Sequence, residues 1–283
     1  MKRLFLVVVV AALATPSHAQ DAPPPPPPEG GRQADSVTIG IGAGYLTDYE
    51  GSDDYRFSPV PGAIGSLGGF SFVVAGNRAS IDLIPNRAGP GWDVQAGPIG
   101  VINFNRSSTS MIDDPRVRAL GGLGTAIELG GFVGIGRTGV ITSDYDQLAV
   151  SVSYRKDVAG VHESGILQPT ISYATPLSTK AAIGLIASAE RAERGYGRTY
   201  FDVLPGQVAT SGLPVFTTRG GWKHWQLGTV ATVSLTGDLL NGWKLVAGGS
   251  YRRMLNDFGD SPIVSVAGSR GQWLGALGVG YTF

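Results

Sequence analysis

The sequence predicts an all-β fold, a transmembrane antiparallel up-and-down β-barrel of about 12 strands, with 10 or 14 as the alternatives. Three observations predict it: short segments in which bulky apolar residues alternate with small ones, an N-terminal export signal, and 43 glycines in a chain that is 42% hydrophobic. Glycine at this density opposes helices but suits tight turns and closely packed strands. Beyond the N-terminal segment, no uncharged apolar run approaches the roughly 18 residues of a membrane-spanning helix.

The last segment of the chain, Gln272 to Phe283, shows the alternation most clearly. The bulky side chains are Trp273, Leu277, Val279, Tyr281 and Phe283, and small or polar residues stand between them. Aromatic residues near both ends of such a strand are typical of the two membrane interfaces. We expect Tyr281 and the final Phe283 to act as the signal that the barrel-assembly machinery reads.

The N-terminal residues divide into two predicted segments ahead of the barrel. Residues 1–19 are predicted to be a cleaved signal peptide, with Lys2 and Arg3, the apolar stretch Leu4 to Ala14, and a small-x-small site ending at Ala19. Residues 20–36 are predicted to be a periplasmic tail, whose run Pro23 to Pro28 favours extended polyproline II structure. The barrel is predicted to occupy residues 37–283 and to lie in the outer membrane.

Charge and cysteine content exclude several classes of function. Cleavage after residue 19 removes two of the 22 basic residues, which leaves 20 against 22 acidic ones and a mature net charge of about −2. This balance indicates no nucleic-acid partner. The chain has no cysteine, so a disulfide framework and thiolate metal sites are excluded. We predict no cofactor and no metal.

Four of the predicted strands illustrate the two faces. In the first, Val37 to Thr47, the bulky face carries Ile39, Ile41 and Tyr45, and the other face is mostly glycine. The seventh sets Val150, Val152 and Tyr154 on the bulky face, and the ninth and eleventh, around residues 181–188 and 243–252, repeat the pattern. A soluble barrel would point its apolar face inward, whereas the small-residue face here suits a narrow lumen. Inward charges are then expected at Arg155, Glu190, Lys244 and Arg252.

The connections are predicted to alternate in length, as in bacterial outer-membrane barrels. Compact periplasmic turns are expected near residues 66–69, 85–91, 137–139, 175–178 and 236–242. Longer external loops are expected at residues 48–54, 105–121, 156–163, 191–221 and 256–269, and a short connection at Gly76 and Asn77 fits the rule poorly.

A family resemblance rests on the first loop and on several later motifs. The segments Gly42-Ala-Gly-Tyr45 and Asp48-Tyr-Glu-Gly-Ser-Asp-Asp-Tyr-Arg56, followed by Pro59 and Pro61, resemble the N-terminal signature of the MipA/OmpV family, also called the MltA-interacting protein family. Ser211-Gly-Leu213, Asp260-Ser-Pro-Ile-Val264 and Gly280-Tyr-Thr-Phe283 add to the likeness. The signature residues of the first loop are Gly44, Tyr45, Asp48, Tyr49, Glu50, Gly51, Ser52, Asp53 and Tyr55.

The resemblance implies an outer-membrane barrel without catalytic residues. For the best-known member it implies a scaffold that links a lytic transglycosylase, which cuts murein, to a penicillin-binding protein, which synthesises it. The same barrel could instead be a small-solute diffusion pore, because about twelve strands enclose more space than the filled eight-stranded barrels. Sequence alone leaves both functions open.

The acidic residues of the first loop are candidate metal ligands. Asp48, Glu50, Asp53 and Asp54 could gather a divalent cation, but their spacing is not that of a calcium-binding loop, so we expect a structured rim loop. Tyr45, Tyr49 and Tyr55 are interpreted as interface aromatics.

Catalysis by a serine, a histidine and an acid would depend on His162 or His224, the two histidines that remain after signal cleavage. His162 lies beside Glu163 and Ser164 in a predicted loop, where sequence neighbours do not generally point at one another. His224, near a strand start, is interpreted as an interfacial residue. We therefore predict that the protein is not an enzyme.

Overall fold

The computed structural model describes residues 35–86 and 89–283, and it forms one closed barrel in which β1 pairs with β12. The predicted signal peptide and most of the predicted tail lie outside the described residues. Every neighbouring pair of strands is antiparallel. All pairs join strands that are consecutive in sequence, except the closing pair of β1 and β12. The strands are β1 (Ser36–Thr47), β2 (Tyr55–Leu67), β3 (Phe70–Ala75), β4 (Arg78–Ile81), β5 (Gly91–Asn103), β6 (Ala126–Thr138), β7 (Gln147–Asp157), β8 (Gly165–Pro176), β9 (Ala181–Ala192), β10 (Gly221–Ser234), β11 (Gly242–Met254) and β12 (Gly271–Thr282).

The predicted fold class and strand number are confirmed, and the connections fall near their predicted places. The connections on the side where β1 begins have at most nine residues, and the opposite side carries the three longest loops, residues 104–125, 193–220 and 255–270, which identifies the two ends as periplasmic and external. The compact turn expected near residues 137–139 is wrong, because β6 continues to Thr138 and residues 139–146 form a longer connection there. The carboxylate of Asp146 holds this connection by accepting hydrogen bonds from the amides of Val140, Ile141 and Thr142.

The β3–β4 hairpin is short on its external side, so part of β2 has no neighbour there. Pairing of β2 with β3 stops at Gly62, and the hairpin turns at Gly76, whose amide donates to the carbonyl of Pro61. The edge beyond this point carries Pro59 and Pro61. Because proline has no N–H group, it is tolerated at an edge where no strand accepts a hydrogen bond.

The exterior of the barrel is an apolar band between two aromatic girdles. Tyr45 stacks on Tyr55 at the external side, with ring centroids 4.9 Å apart, and Trp243 contacts Tyr281 at the periplasmic side. Trp273 and Tyr281 mark the two levels on β12, eight residues apart, which is roughly 27 Å along a strand and about 21 Å of height at a 40° tilt. In the described strands, outward-facing charged side chains occur only at strand ends. The surface is therefore that of a membrane-spanning barrel.

The external loops fold into a compact structure, here called the cap, which has an apolar core of its own. Tyr49, Ile112, Val117, Leu213 and Ile263 form one buried cluster of this core, and residues of a second cluster surround Phe201 and Phe258. Within the described residues, no helix has the length and apolar character needed to cross a membrane. The helices of the cap are α1 (Pro115–Arg118), α2 (Arg194–Tyr200), α3 (Val208–Ser211), α4 (Asn256–Asp260) and α5 (Pro262–Ser265), with 3₁₀ turns at Thr109–Met111 and Pro205–Gln207.

Candidate functional site

Directly beneath the cap, buried charged side chains cross the lumen in one connected layer, here called the septum. Its centre is an alternating chain of cations and carboxylates. Arg155 Nε lies 2.5 Å from Glu128 Oε2, and Arg155 Nη2 lies 2.8 Å from Glu190 Oε1. Lys223 Nζ continues the chain, at 2.7 Å from Glu190 Oε2 and 2.9 Å from Glu50 Oε1.

Polar side chains extend this chain towards both sides of the barrel wall. Arg78 on β4 donates to Gln168 Oε1 at 2.6 Å, and Arg155 donates to the same oxygen at 3.0 Å. On the other side, Arg252 Nη1 lies 3.5 Å from Glu50 Oε1. The septum therefore spans the lumen from β4 to β11.

The backbone explains how two adjacent residues of β10 both reach the septum. The pairing of β10 with β9 shifts register between Trp222 and His224, as it does at a β-bulge. A bulge adds one residue and lets consecutive side chains share a face. Lys223 and His224 are both buried inside the barrel, whereas Trp222 is exposed outside. The interpretation of His224 as an interfacial residue is wrong, because its side chain faces the lumen opposite Glu190.

Glu50 comes from the first external loop and connects the cap to the septum. Its carboxylate accepts hydrogen bonds from the Tyr196 hydroxyl at 2.8 Å and from Lys223. Burial favours the neutral acid, but the charge of Lys223, a hydrogen bond from His224 and the charge of Arg252 outweigh burial and hold the pKa of Glu50 well below its usual value. Glu50 is therefore ionised.

The carboxylates of the septum are all paired with cations. Glu50, Glu128 and Glu190 supply three negative charges, and Arg78, Arg155, Lys223 and Arg252 supply four positive ones. Buried ions are tolerated only when they are paired and hydrogen-bonded in this way. Removal of one partner would leave a buried charge uncompensated.

The only group of potential metal ligands found among the described residues also belongs to the septum. Ligand atoms of Glu50, Glu190 and His224 lie within 4.8 Å of one another. Lys223 already places its ammonium group between the two carboxylates. A divalent cation would have to displace this lysine or sit beside it, so the donor set does not fit a metal.

The side chains of the described residues do not fill the lumen below the septum. Ile64, Val73 and Ile186 face inward by their register with neighbouring strands, yet each remains exposed, Ile64 by 56%. The barrel thus has an accessible periplasmic half and a closed external half.

The first-loop signature residues serve three different parts of the molecule. Tyr45 and Tyr55 lie in the external girdle, as interpreted from sequence. Tyr49 does not: it is 2% exposed, and its hydroxyl donates to the carbonyl of Ala267 at 2.6 Å in the core of the cap. Its interpretation as an interface aromatic is wrong, because the loop folds inward over the lumen.

The remaining signature residues hold this loop in place. Asp48 accepts hydrogen bonds from the amides of Tyr49 and Asp113, and Ser52 accepts one from Asp54. Gly51 has a positive φ of 99°, and a Cβ atom there would overlap Val264. Gly44 lies inward on β1, and Asp53 is exposed.

The predicted lumen charges face the interior but occupy two levels. Arg155, Glu190 and Arg252 belong to the septum. Lys244 lies at the periplasmic end of β11, where its ammonium group donates to Thr282. Tyr281 and Phe283 pack together at the same end, on the outer surface, with ring centroids 4.9 Å apart.

A serine, a histidine and a glutamate meet at the edge of the septum, contrary to the expectation that His162 and its neighbours point apart. His162 Nδ1 lies 2.9 Å from Ser164 Oγ, and His162 Nε2 lies 3.3 Å from Glu128 Oε1. Both Ser164 and His162 are buried, and the rings of Tyr196 and Tyr200 cover the histidine at 5.0 and 5.8 Å. A substrate has no access to this serine, so the arrangement is a buried hydrogen-bond network.

Sequence reasoning missed Glu128 and Lys223. The alternation in β6 carried enough signal to place Glu128 on the inward face, two residues before Gly130. Lys223 carried no such signal, since the bulge breaks the alternation.

The fold and the septum together define the protein as an outer-membrane β-barrel whose lumen is closed on its external side. A model of the family described as MltA-interacting protein MipA matches residues 39–283. The chain belongs to this family, as the sequence motifs predicted. A search of curated proteins finds no match.

Solved barrel structures show a weaker similarity. The outer membrane channel DcaP of Acinetobacter baumannii is 9% identical, with 88% of this chain and 96% of that chain covered and a TM-score of 0.37. The toluene transporter TodX of Pseudomonas putida is 10% identical, with 90% of both chains covered and a TM-score of 0.35. The translocator domain of the autotransporter NalP from Neisseria meningitidis is 14% identical, with 89% of both chains covered and a TM-score of 0.36. At these scores none of the three bears on what this chain does.

Proposed function

We propose that this barrel is a noncatalytic scaffold that couples enzymes of murein synthesis and hydrolysis to the outer membrane. The observation that carries the proposal is that periplasmic turns present large aliphatic side chains to solvent. Ile141, Leu177 and Leu240 are 68%, 66% and 69% exposed, and Leu67 and Leu83 are also exposed. Leu83, Ile141, Leu177 and Leu240 come from four separate connections, and Leu67 is the last residue of β2.

The distribution of these side chains suits a protein partner. A single turn offers little area, whereas a stable interface buries around 800 Å² on each partner. Four connections and one strand end on the same rim together supply a broader apolar surface, and such surfaces commonly mark interaction sites. The family description names MltA, and we infer that a lytic transglycosylase binds here, with a penicillin-binding protein as a second partner.

The closed external half supports a scaffold over an open pore. In the part of the chain that the structure describes, the septum crosses the lumen beneath the cap, and Ser164 is buried. A pore is the second candidate, because Ile64, Val73 and Ile186 show that the periplasmic half of the lumen is accessible. In that function the cap would have to move, and the inward charges would select the solute.

Assembly of the scaffold follows from the sequence predictions. We propose that residues 1–19 direct export and are cleaved, that residues 20–36 remain as a periplasmic tail, and that Tyr281 and Phe283 guide insertion by the barrel-assembly machinery. Outer-membrane lipid contacts the apolar band.

The experiment that tests the scaffold is co-purification of a murein lytic transglycosylase with the barrel. The test variant is Ile141→Ser/Leu177→Ser/Leu240→Ser on the periplasmic rim. The control variant is Leu204→Ser/Val215→Ser, which alters comparably exposed aliphatics of the cap. We expect the rim variant to lose the enzyme and the control to retain it. Equal retention by wild type and rim variant would contradict the proposal.

A further inference from the structure

One side of the external rim carries cations without acidic partners. Lys156, Arg191 and Arg253 stand at the external ends of β7, β9 and β11, and all three are exposed and face outward. Arg194 and Arg198 extend the group along α2 and are also exposed. Among the described residues, no carboxylate lies within 4.0 Å of any of these five cations.

The acidic groups nearby only partly offset this charge. Glu193 and Glu163 are exposed in the neighbouring connections. Glu193 already accepts a hydrogen bond from the Tyr154 hydroxyl at 3.1 Å and another from the amide of Gly165 at 2.8 Å. Arg219 and Asp257 neutralise each other, with Nη2 and Oδ1 2.9 Å apart. Five cations against two carboxylates leave a positive surface.

The opposite side of the rim has a different character. Its loops carry Asp48, Asp53, Asp54, Asp113 and Asp114. The arginines there are engaged within the protein: Arg116 pairs with Asp114, and Arg56, Arg106 and Arg118 donate to backbone carbonyls. The unpartnered positive charge is therefore confined to the side formed by β7 to β11.

The position of the cations indicates the ligand. Arg191 is the register partner of Trp222, and Arg253 is the register partner of Trp225. Lys156 follows Tyr154 by two residues on the same outward face of β7. These aromatics belong to the external girdle, and basic residues immediately beyond a membrane interface bind anionic lipid headgroups. Alternate strands place neighbouring cations roughly 10 Å apart across the barrel surface.

We propose that Lys156, Arg191 and Arg253 form a binding site for a phosphorylated glycolipid of the outer leaflet. The guanidinium groups and the ammonium group bind the phosphates of the lipid headgroup, and the girdle aromatics contact its sugar and the upper part of its acyl chains. Arg194 and Arg198 add long-range attraction from the cap. An acidic protein is a less suitable ligand, because its binding would not require cations on the outward face of the strands, at the lipid boundary.

The test compares binding of bisphosphorylated lipid A to the purified barrel in detergent. Trp222 and Trp225 lie beside two of the cations, so their fluorescence can report binding. The variant is Lys156→Gln/Arg191→Gln/Arg253→Gln. Its control is Arg137→Gln, which removes an exposed outward cation at the periplasmic end, where Arg137 lies 5.3 Å from the Trp92 ring.

We expect the triple variant to bind lipid A about threefold to a hundredfold more weakly, since each exposed ion pair contributes about 1.4-fold to fivefold. Arg137→Gln should bind like wild type, and dephosphorylated lipid A should bind all forms weakly. Wild-type affinity in the triple variant would overturn the proposal, as would competition by equimolar inorganic phosphate. Heat-modifiable gel mobility checks that each variant is folded. If the triple variant does not fold, Arg253→Gln alone replaces it, with an expected severalfold loss of lipid A affinity.

Discussion

Replacement of Arg155 by methionine tests whether the septum is held by its ion pairs. Arg155 is the link between Glu128 and Glu190, at 2.5 and 2.8 Å. After its removal Glu190 keeps Lys223 at 2.7 Å, but Glu128 keeps only Asn103 at 2.8 Å and His162 at 3.3 Å. Loss of one partner from a buried ion pair costs about 3–5 kcal/mol. We expect Arg155→Met to reduce the free energy of unfolding by that amount.

The measurement is urea unfolding of the refolded barrel in lipid vesicles, followed by tryptophan fluorescence. Arg155→Met/Glu128→Gln removes the uncompensated charge together with its partner and should recover more than half of the loss. Lys244→Met is the matched control, because Lys244 is buried at the other end of the lumen with Thr282 as its hydrogen-bond partner. A loss below about 1 kcal/mol in Arg155→Met, or no recovery in the double variant, would refute the reasoning.

Three further outcomes are expected. Arg219 lowers the pKa of Asp257 from 3.8 to about 2, so this pair should stabilise the cap at neutral pH. The stabilisation should disappear as the pH falls from about 4 to 2. Asp257→Asn should abolish that pH dependence, as measured by limited proteolysis. Tyr49→Phe should leave the Ala267 carbonyl without its hydroxyl donor and speed hydrogen exchange in the first loop, by an amount equivalent to about 1–3 kcal/mol. A fluorophosphonate probe should not label Ser164 in the folded barrel, and stoichiometric labelling would show that this serine is accessible and activated.

The barrel could be predicted from sequence because its information is local. Alternation with a period of two assigns each strand residue to a face, and it placed Ile39, Val150 and Trp273 on the bulky face that the structure exposes to lipid. The number of strands followed from counting such segments between turns. The length of the connection after β6 could not be predicted from the sequence, because hydrogen bonds to Asp146, and not the residues of a tight turn, hold this connection.

The septum and the cap could not be predicted in the same way. Tyr49 is buried by contact with residues more than 200 positions away, such as Ala267, and no local pattern records that contact. The bulge between Trp222 and His224 puts Lys223 on the same inward face as His224, whereas strict alternation would place the two on opposite faces. Glu50 looked like part of an acidic rim loop, since only the folded loop carries its carboxylate over the lumen to Lys223.

The most direct test of the closed lumen is single-channel conductance of the purified, refolded protein in a planar bilayer. The intact barrel should be silent, because the septum crosses the lumen from β4 to β11 beneath the cap. A variant without residues 194–219, which lacks α2 and its Tyr196 contact to Glu50, should show intermittent conductance. Steady conductance of the intact barrel would contradict the account and favour a diffusion pore.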